Sequence, residues 1–433
     1  MLTRRETLQA MALLALGTGG GGALTGCGER AGPAAGGEVA VSRVRREPSA
    51  GLEAARPAAG AVRALAADVY RRLAVRPGGL AFSPYSIEVA LAMTRAGARG
   101  TTATEMDRVL RAPGPPGLDR GLNALQHQLA SRAGTRTRPG RPTVTIALET
   151  ANSLWGQQGL RWEPAFLDTL ATHYEAGMRI VDFRRDAEGA RKAVNAWTSD
   201  RTRGLIPEIV PPGLLDALTR LVLVNALYLK APWEQPFDRS ETRDQPFTRL
   251  DGSTLRVPTM RSDGPRGYAE GPGWQAVDLS YAGSELAMAV LLPGPGRLAE
   301  VERRFDGAAL TRLLTGFRPA EVRLSLPRWK VATFVPLNDL LAALGMPTAF
   351  TDRADFSGMT RQAALFISAV LHQAVVTVDE DGTEAAAATA VITRITAMRR
   401  QIELVVDRPY LFVIHDVRTA TPLFVGRVTD PAS

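Results

Sequence analysis

Imidazole and thiol side chains, which most often act as nucleophile, base or metal ligand, are scarce in this chain. Its 433 residues include four histidines (His127, His173, His372, His415) and one cysteine, Cys27. None of these has paired ligand spacing, and no G-x-S-x-G, H-E-x-x-H or G-x-x-x-x-G-K segment occurs. The residues for serine-elbow acyl transfer, zinc hydrolysis and phosphate cradling are therefore missing, and the sequence argues for neither an enzyme nor a metal or cofactor site. The stretch with distinctive side chains runs from Val376 to Arg400. A strand-like alternation ends in Asp379, Glu380 and Asp381, turns at Gly382, and continues through Thr383, Glu384, Ala385, Ala386, Ala387, Ala388 and Thr389. Alanine and glutamate favour a helix here, although one too short to stand alone. Read as a strand, the run has Thr383, Ala385, Ala387 and Thr389 on one small face and Glu384, Ala386 and Ala388 on the other. Either form buries almost nothing, which suits a segment that moves; an exposed low-complexity spacer is the plain alternative.

Composition sets the frame for that stretch. With 45% hydrophobic and 22% charged residues the chain is globular and can bury a large core. The net charge of +8 comes from scattered arginine, and neither an aromatic RNA-binding motif nor zinc-finger spacing accompanies it, so nucleic acid is not expected as a partner. Clusters at Arg43, Arg45, Arg46 and at Arg132, Arg136, Arg138, Arg141 leave a weak case for contact with a polyanion. A lone cysteine excludes an intrachain disulfide and any multi-cysteine metal centre. Its surroundings are more telling. Arg4 and Arg5, an apolar stretch Met11–Leu16 and Leu24-Thr25-Gly26 before Cys27 resemble a bacterial lipoprotein signal. That resemblance implies cleavage after residue 26, lipid on Cys27, and an extracytoplasmic protein held at the cell membrane or released. Thr3–Leu8 also resembles a twin-arginine export signal, with Thr7 where a large apolar residue is common, so the export route stays open.

The elements that must position residues 376–400 follow from periodicity. Residues 27–60 hold hardly any large apolar side chain and read as a flexible tether. A helix is expected over Val62–Leu73, then a short strand at Leu80–Phe82, and a second helix from Ser83-Pro84 to the Gly97–Gly100 turn. Thr102 and Glu105 have capping-box spacing for a third helix, and further helices fit Leu122–Leu129, 164–173 and 187–202. Leu218–Lys230 is apolar on both faces except for Thr219, Arg220 and Asn225, as in a strand at the centre of a large sheet. Alternating strands follow, broken by short helices near 298–315 and 336–344. Helices first and strands later, without steady βαβ alternation, argue for an α+β protein with large antiparallel or mixed sheets.

Five ordered segments then resemble the serpin family. They are Phe82–Met93 with Gly97–Met106; Asn195-Ala-Trp197 with Thr202-Arg-Gly204; Leu221–Lys230 with Trp233 and Phe237; His372–Ala390; and Asp407–Ile414 with Pro422–Pro431. The resemblance covers about residues 61–433. It implies one large domain with a large mixed or antiparallel central sheet, further sheets, about eight or nine helices and an exposed reactive-centre loop. It also implies a suicide-substrate inhibitor of serine proteases: the loop is cut, an acyl-enzyme forms, and the loop inserts into the central sheet and traps the protease. The target is expected to be elastase-, subtilisin- or chymotrypsin-like, and the inhibitor a monomer. A non-inhibitory binding or structural lipoprotein of the same fold is the alternative.

Roles are carried over residue by residue. Glu380 and Gly382–Thr389 correspond to the hinge of the loop, whose small inward residues oppose no insertion. About ten inserted residues at ~0.5–1.5 kcal/mol per ladder bond contribute on the order of 10 kcal/mol. Ser83, Ser86, Asn225 and His372 correspond to the region where the sheet opens, with ordinary satisfied core polar residues as the other reading of Asn225 and His372. Trp233 corresponds to the point where the loop first enters. Family spacing from Gly382 places the reactive bond at Thr396–Ala397; counting back from Pro409 gives Met398–Arg399 instead.

Overall fold

The computed structural model describes residues 38–111, 115–138, 141–383 and 401–432. Nine α-helices occur among them: α1 (Gly51–Leu73), α2 (Pro84–Arg95), α3 (Gly100–Val109), α4 (Pro115–Ala130), α5 (Pro164–Thr169), α6 (Ala187–Arg201), α7 (Leu298–Arg303), α8 (Gly307–Thr315) and α9 (Asn338–Leu344). The strands of the first half are β1 (Glu38–Ala40), β2 (Leu80–Phe82), β3 (Gly134–Arg138), β4 (Arg141–Gln157), β5 (Met178–Val181) and β6 (Leu221–Pro232). The next six are β7 (Arg243–Thr248), β8 (Thr254–Gly271), β9 (Trp274–Ser280), β10 (Leu286–Pro293), β11 (Arg318–Pro327) and β12 (Trp329–Pro336). The last five are β13 (Ala369–Val378), β14 (Gly382–Thr383), β15 (Ile402–Val405), β16 (Tyr410–Asp416) and β17 (Thr421–Val428).

Two sheets result. The first runs β1-β5-β4-β6-β14-β13-β12 with β3 beside β4, and the second runs β15-β11-β8-β9-β10-β16-β17-β2 with β7 beside β8. The first is mixed, because β6 pairs in parallel with β13 and antiparallel with β4. Its central strand β6 is covered on both faces, as its largely apolar run requires. Alternation sends Leu221, Leu223, Leu227 and Leu229 into the main core, and Val222, Val224 and Ala226 into a second core under α6 with Trp155 and Trp197. Asn225 falls in the odd-numbered row, so this polar side chain points into the main core, toward α2.

Three expectations need correction. Residues 38–60 are not a tether: β1 pairs with β5 from Glu38↔Ile180 to Ala40↔Met178, and α1 begins at Gly51. The segment between them is bonded down, with Ser42 Oγ donating to Asp168 (2.5 Å), Arg46 Nε to Asn123 (2.9 Å) and Glu47 N–H to the Thr172 carbonyl (2.9 Å). Apart from Leu52, the start of α1 lacks large apolar residues because it packs through small ones. A Cβ on Gly121 of α4 would stand 3.0 Å from the Ala54 carbonyl and 3.1 Å from the Ala58 Cβ, so a close helix pair replaces a bulky interface. The stretch 28–37 lies outside the described residues.

The second correction is that Thr102 and Glu105 do not cap α3. Arg99 holds the N-cap position without a side-chain bond. Thr102 Oγ1 accepts from Asp355 N–H, and Glu105 accepts from Thr348 N–H and Oγ1, each at 2.9 Å. These tertiary partners, which tie α3 to the segment after α9, override the local pattern. Third, Gly134–Arg138 in the second basic cluster, where the periodicity predicts no element, form the strand β3 and pair with β4.

Candidate functional site

The site begins where β13 turns back on itself. Asp379 Oδ1 accepts from the N–H groups of Asp381 (2.9 Å) and Gly382 (3.2 Å), and Asp379 N–H donates to the Gly382 carbonyl (3.0 Å). This side-chain turn reverses the chain, and Gly382-Thr383 run antiparallel beside both neighbours. Gly382 pairs with Pro232, and Thr383 with Ala231 of β6 and Val378 of β13. Only glycine fits the first position: its φ is +152°, and a Cβ there would lie 2.3 Å from the Ala231 carbonyl oxygen.

Below this two-residue wedge the ladder is interrupted. The β6–β13 pairing runs from Ala369↔Val222 to Gln373↔Ala226. From Leu227 to Lys230, β6 has ladder partners on β4, and among the described residues none on its other side. The opposite stretch of β13, Ala374–Thr377, pairs with β12 in the same one-sided way. Two strands therefore face each other with unmatched backbone groups, the arrangement that accepts an added strand.

The wedge is held by side chains from distant elements. Trp233 is 1% exposed. It stacks on Tyr281 at 4.5 Å with planes 9° apart, and donates its indole N–H to the Asp379 carbonyl (2.9 Å) and its backbone N–H to the Asp381 carbonyl (2.8 Å). The Tyr281 hydroxyl bonds Thr383 Oγ1 at 2.6 Å. Glu380 is fully buried. Its carboxylate accepts from Thr242 Oγ1 (2.6 Å) and Arg328 Nε (2.7 Å), with a second Arg328 bond through Nη2. Burial pushes this carboxyl up, but the bonds from Thr242 and Arg328 outweigh it and hold it below the ordinary range. Arg239 pairs with Asp381. Asp379, by contrast, is pushed up by burial and by the Asp381 charge, against the bonds from two backbone N–H groups.

Further down the same strands lies a polar cluster. The structure brings Ser83, Ser86, Asn225 and His372 together under α2. His372 Nε2 accepts from Ser83 N–H (2.9 Å), a donor that cannot reverse its role. The proton of the neutral ring is therefore on Nδ1, where it donates to Asn225 Oδ1 (2.5 Å). Ser83 caps α2 by accepting from Ser86 N–H (3.2 Å), and Ser86 Oγ reaches Asn152 Oδ1 (2.6 Å) and the Ala226 carbonyl (3.1 Å). Burial lowers the His372 pKa to about 4, against the bond to the Asn225 backbone. Trp233 is not part of this cluster; it bonds the Asp379–Asp381 turn, beyond the far end of β6.

Asn152, Thr242, Tyr281, Arg239 and Arg328 complete the two clusters and were not singled out from sequence. Tyr281 stood out only as part of an alternating strand, and the others carry no local signal, because their partners lie far along the chain. Glu384–Thr389, Thr396, Ala397, Met398, Arg399 and Cys27 lie outside the described residues. The arginines of the second basic cluster are turned inward. Arg132 pairs with Asp416 and Glu285, Arg136 with Glu285, and Arg138 and Arg141 donate to the carbonyls that end β6, at Trp233 and Glu234. Among the described residues no group of three or more His, Cys, Asp or Glu side chains could hold a metal, and no helix is long and apolar enough to cross a membrane.

Comparison with known proteins agrees with this geometry. A family model described as Serpin (serine protease inhibitor) matches residues 60–431. The chain is 35% identical over 379 residues to an uncharacterized serpin-like protein of Thermococcus kodakarensis, covering 87% of this chain and 86% of the relative. It is 36% identical over 366 residues to a leukocyte elastase inhibitor of Bos taurus, covering 82% and 93%. Among solved structures, the thermophilic serpin tengpin in its native state superposes with a TM-score of 0.80 at 26% identity, covering 91% of this chain and 100% of tengpin.

Proposed function

The chain belongs to the serpin family, and from that premise we propose that it inhibits serine proteases as a suicide substrate. A protease serine attacks the carbonyl of Thr396, the amine of Ala397 leaves, and Thr396 stays esterified to the enzyme. The freed segment from Glu384 onward then inserts between β6 and β13. The distorted protease cannot complete deacylation.

One observation carries this reading: Gly382 and Thr383 form a two-residue strand wedged between β6 and β13, directly above a ladder interruption. The small face that continues from Thr383 through Ala385, Ala387 and Thr389 suits such a slot. The Bos taurus relative is named for an elastase, and Thr396 suits an elastase- or subtilisin-like specificity pocket; Met398 at the alternative bond would extend this to chymotrypsin-like enzymes. The leader and Cys27 extend the proposal to a lipid-anchored extracytoplasmic protein, with the membrane as a second partner. A Cys27→Ser variant should lose the lipid mass and leave the membrane fraction.

The test incubates the mature protein with elastase, subtilisin, chymotrypsin and trypsin. A covalent complex on a denaturing gel, with release of a peptide beginning at Ala397, is the expected result. Clean cleavage without a complex overturns it in favour of a non-inhibitory binding protein, and a peptide beginning at Arg399 moves the reactive bond.

A further inference from the structure

Arg266 on β8 is 8% exposed, yet among the described residues no carboxylate lies within ion-pair distance of it. Its guanidinium donates only to Ser262 Oγ and, at 3.5 Å, to the Gly264 carbonyl. The remaining N–H groups have no protein acceptor among the described residues. A largely buried guanidinium held only by neutral groups is poorly compensated, and its free donors can serve a ligand. Asp263 and Glu321 contribute attraction from beyond contact, but burial dominates and lowers the arginine pKa to about 10.

The guanidinium lines a cavity of about 220 Å³ at the junction of the two sheets. Trp233 and Leu279 supply apolar wall, and Gln235, Ser280 and Ser284 supply neutral polar groups. The two acids of the lining are already engaged, Glu234 with Gly283 N–H (2.8 Å) and Asp278 with His415 Nε2 (3.0 Å). Their charges disfavour a multiply charged ion. A planar five-donor fork in a partly apolar cavity matches a carboxylate in two-point contact.

We propose that this cavity binds a small monocarboxylate against Arg266, and that the bound acid steadies the hinge through Trp233. Trp233 is a wall of the cavity and also donates two hydrogen bonds to the Asp379–Asp381 turn. An acid seated beside the indole restricts its movement, and so that of the turn. Size favours a simple organic acid over a cofactor-sized ligand.

Calorimetric titration with benzoate at constant ionic strength, with acetate, inorganic phosphate and neutral benzyl alcohol in parallel, tests the site. Saturable benzoate binding is expected, at least about tenfold tighter than phosphate, with none for benzyl alcohol. Arg266→Gln should lose about tenfold or more in affinity, and Arg266→Lys, which keeps the charge without the fork, should lose less. Should Arg266→Gln fail to fold, Ser280→Tyr decides, since this exposed position narrows the mouth and should abolish binding. Amide exchange across residues 379–383 should slow on benzoate addition. Absence of saturable binding, or equal affinity in Arg266→Gln or Ser280→Tyr, overturns the site; binding without slower exchange overturns its link to the hinge. Both readouts run without a protease and are independent of the inhibitory reading.

Discussion

His372 and Glu88 are both fully buried inside the main fold, and their protonation pulls stability in opposite directions. The His372 pKa falls from an ordinary 6.5 to about 4. Between those values the unfolded chain holds a proton that the folded one does not, so stability is lost as pH falls through that window. At ~1.4 kcal/mol per unit the loss is roughly 3 kcal/mol. Between pH 7 and pH 5, where about 1.5 units of that window are crossed, denaturant unfolding should show a fall of about 2 kcal/mol, and His372→Gln should flatten it. Glu88, on α2, has no hydrogen-bond partner for either carboxylate oxygen among the described residues, and burial raises its pKa well above the ordinary value. Here the folded state keeps a proton that the unfolded state releases, so stability declines as pH rises above the usual carboxylate range. Glu88→Leu should stabilise the protein by about 1–3 kcal/mol at neutral pH, measured by chemical denaturation, with a smaller gain at pH 5. That Ser83, Ser86, Asn225 and His372 belong together was legible by resemblance, and their bonds under α2 show it. Glu88 was not, since one glutamate in an apolar helix gives no sign of which face it occupies.

At the scale of elements, the wedge formed by β14 sets the most direct test. Thr383 is 2% exposed, with its hydroxyl on Tyr281. Thr383→Arg would place a charge in that position, and even a bulky neutral group costs ~1–3 kcal/mol there. The expected outcome is conversion from inhibitor to substrate: cleavage at the same bond with the covalent complex reduced at least about tenfold on denaturing gels. A variant that still forms the complex in full would remove Thr383 from the mechanism. The alternating run that ends at the acidic cluster was readable from sequence because a strand has period two, and it is the end of β13. The Asp379 turn was visible as an acidic cluster before glycine, without its geometry. The locks on it were not visible: Arg328 and Thr242 lie 52 and 138 residues from Glu380, and no local pattern encodes such a pairing. Weak apolarity misled the reading of residues 38–60, where alanine and glycine make a helix contact that side-chain size hides.

For the whole molecule, the central position of β6 was legible from its two apolar faces, whereas the order β1-β5-β4-β6-β14-β13-β12 was not, since neighbours come from opposite ends of the chain. Net charge is a poor guide at this scale. Arg132, Arg136, Arg138 and Arg141 bond inward, so dextran sulfate binding should be weak, with a log–log salt slope equivalent to only about one or two phosphate-like contacts. A slope equivalent to about five or more would show that the surface arginines act together after all. The stacked pair beneath the hinge has another consequence. The chain has six tryptophans, and one of them, Trp233, has its ring face against Tyr281 and its N–H on the hinge carbonyl. Any departure of the turn changes both the polarity and the quenching that this indole experiences. The protein thus carries its own optical reporter at the place where the proposed insertion begins. With the other five tryptophans replaced, the emission of one native residue would follow the hinge in real time without an added label.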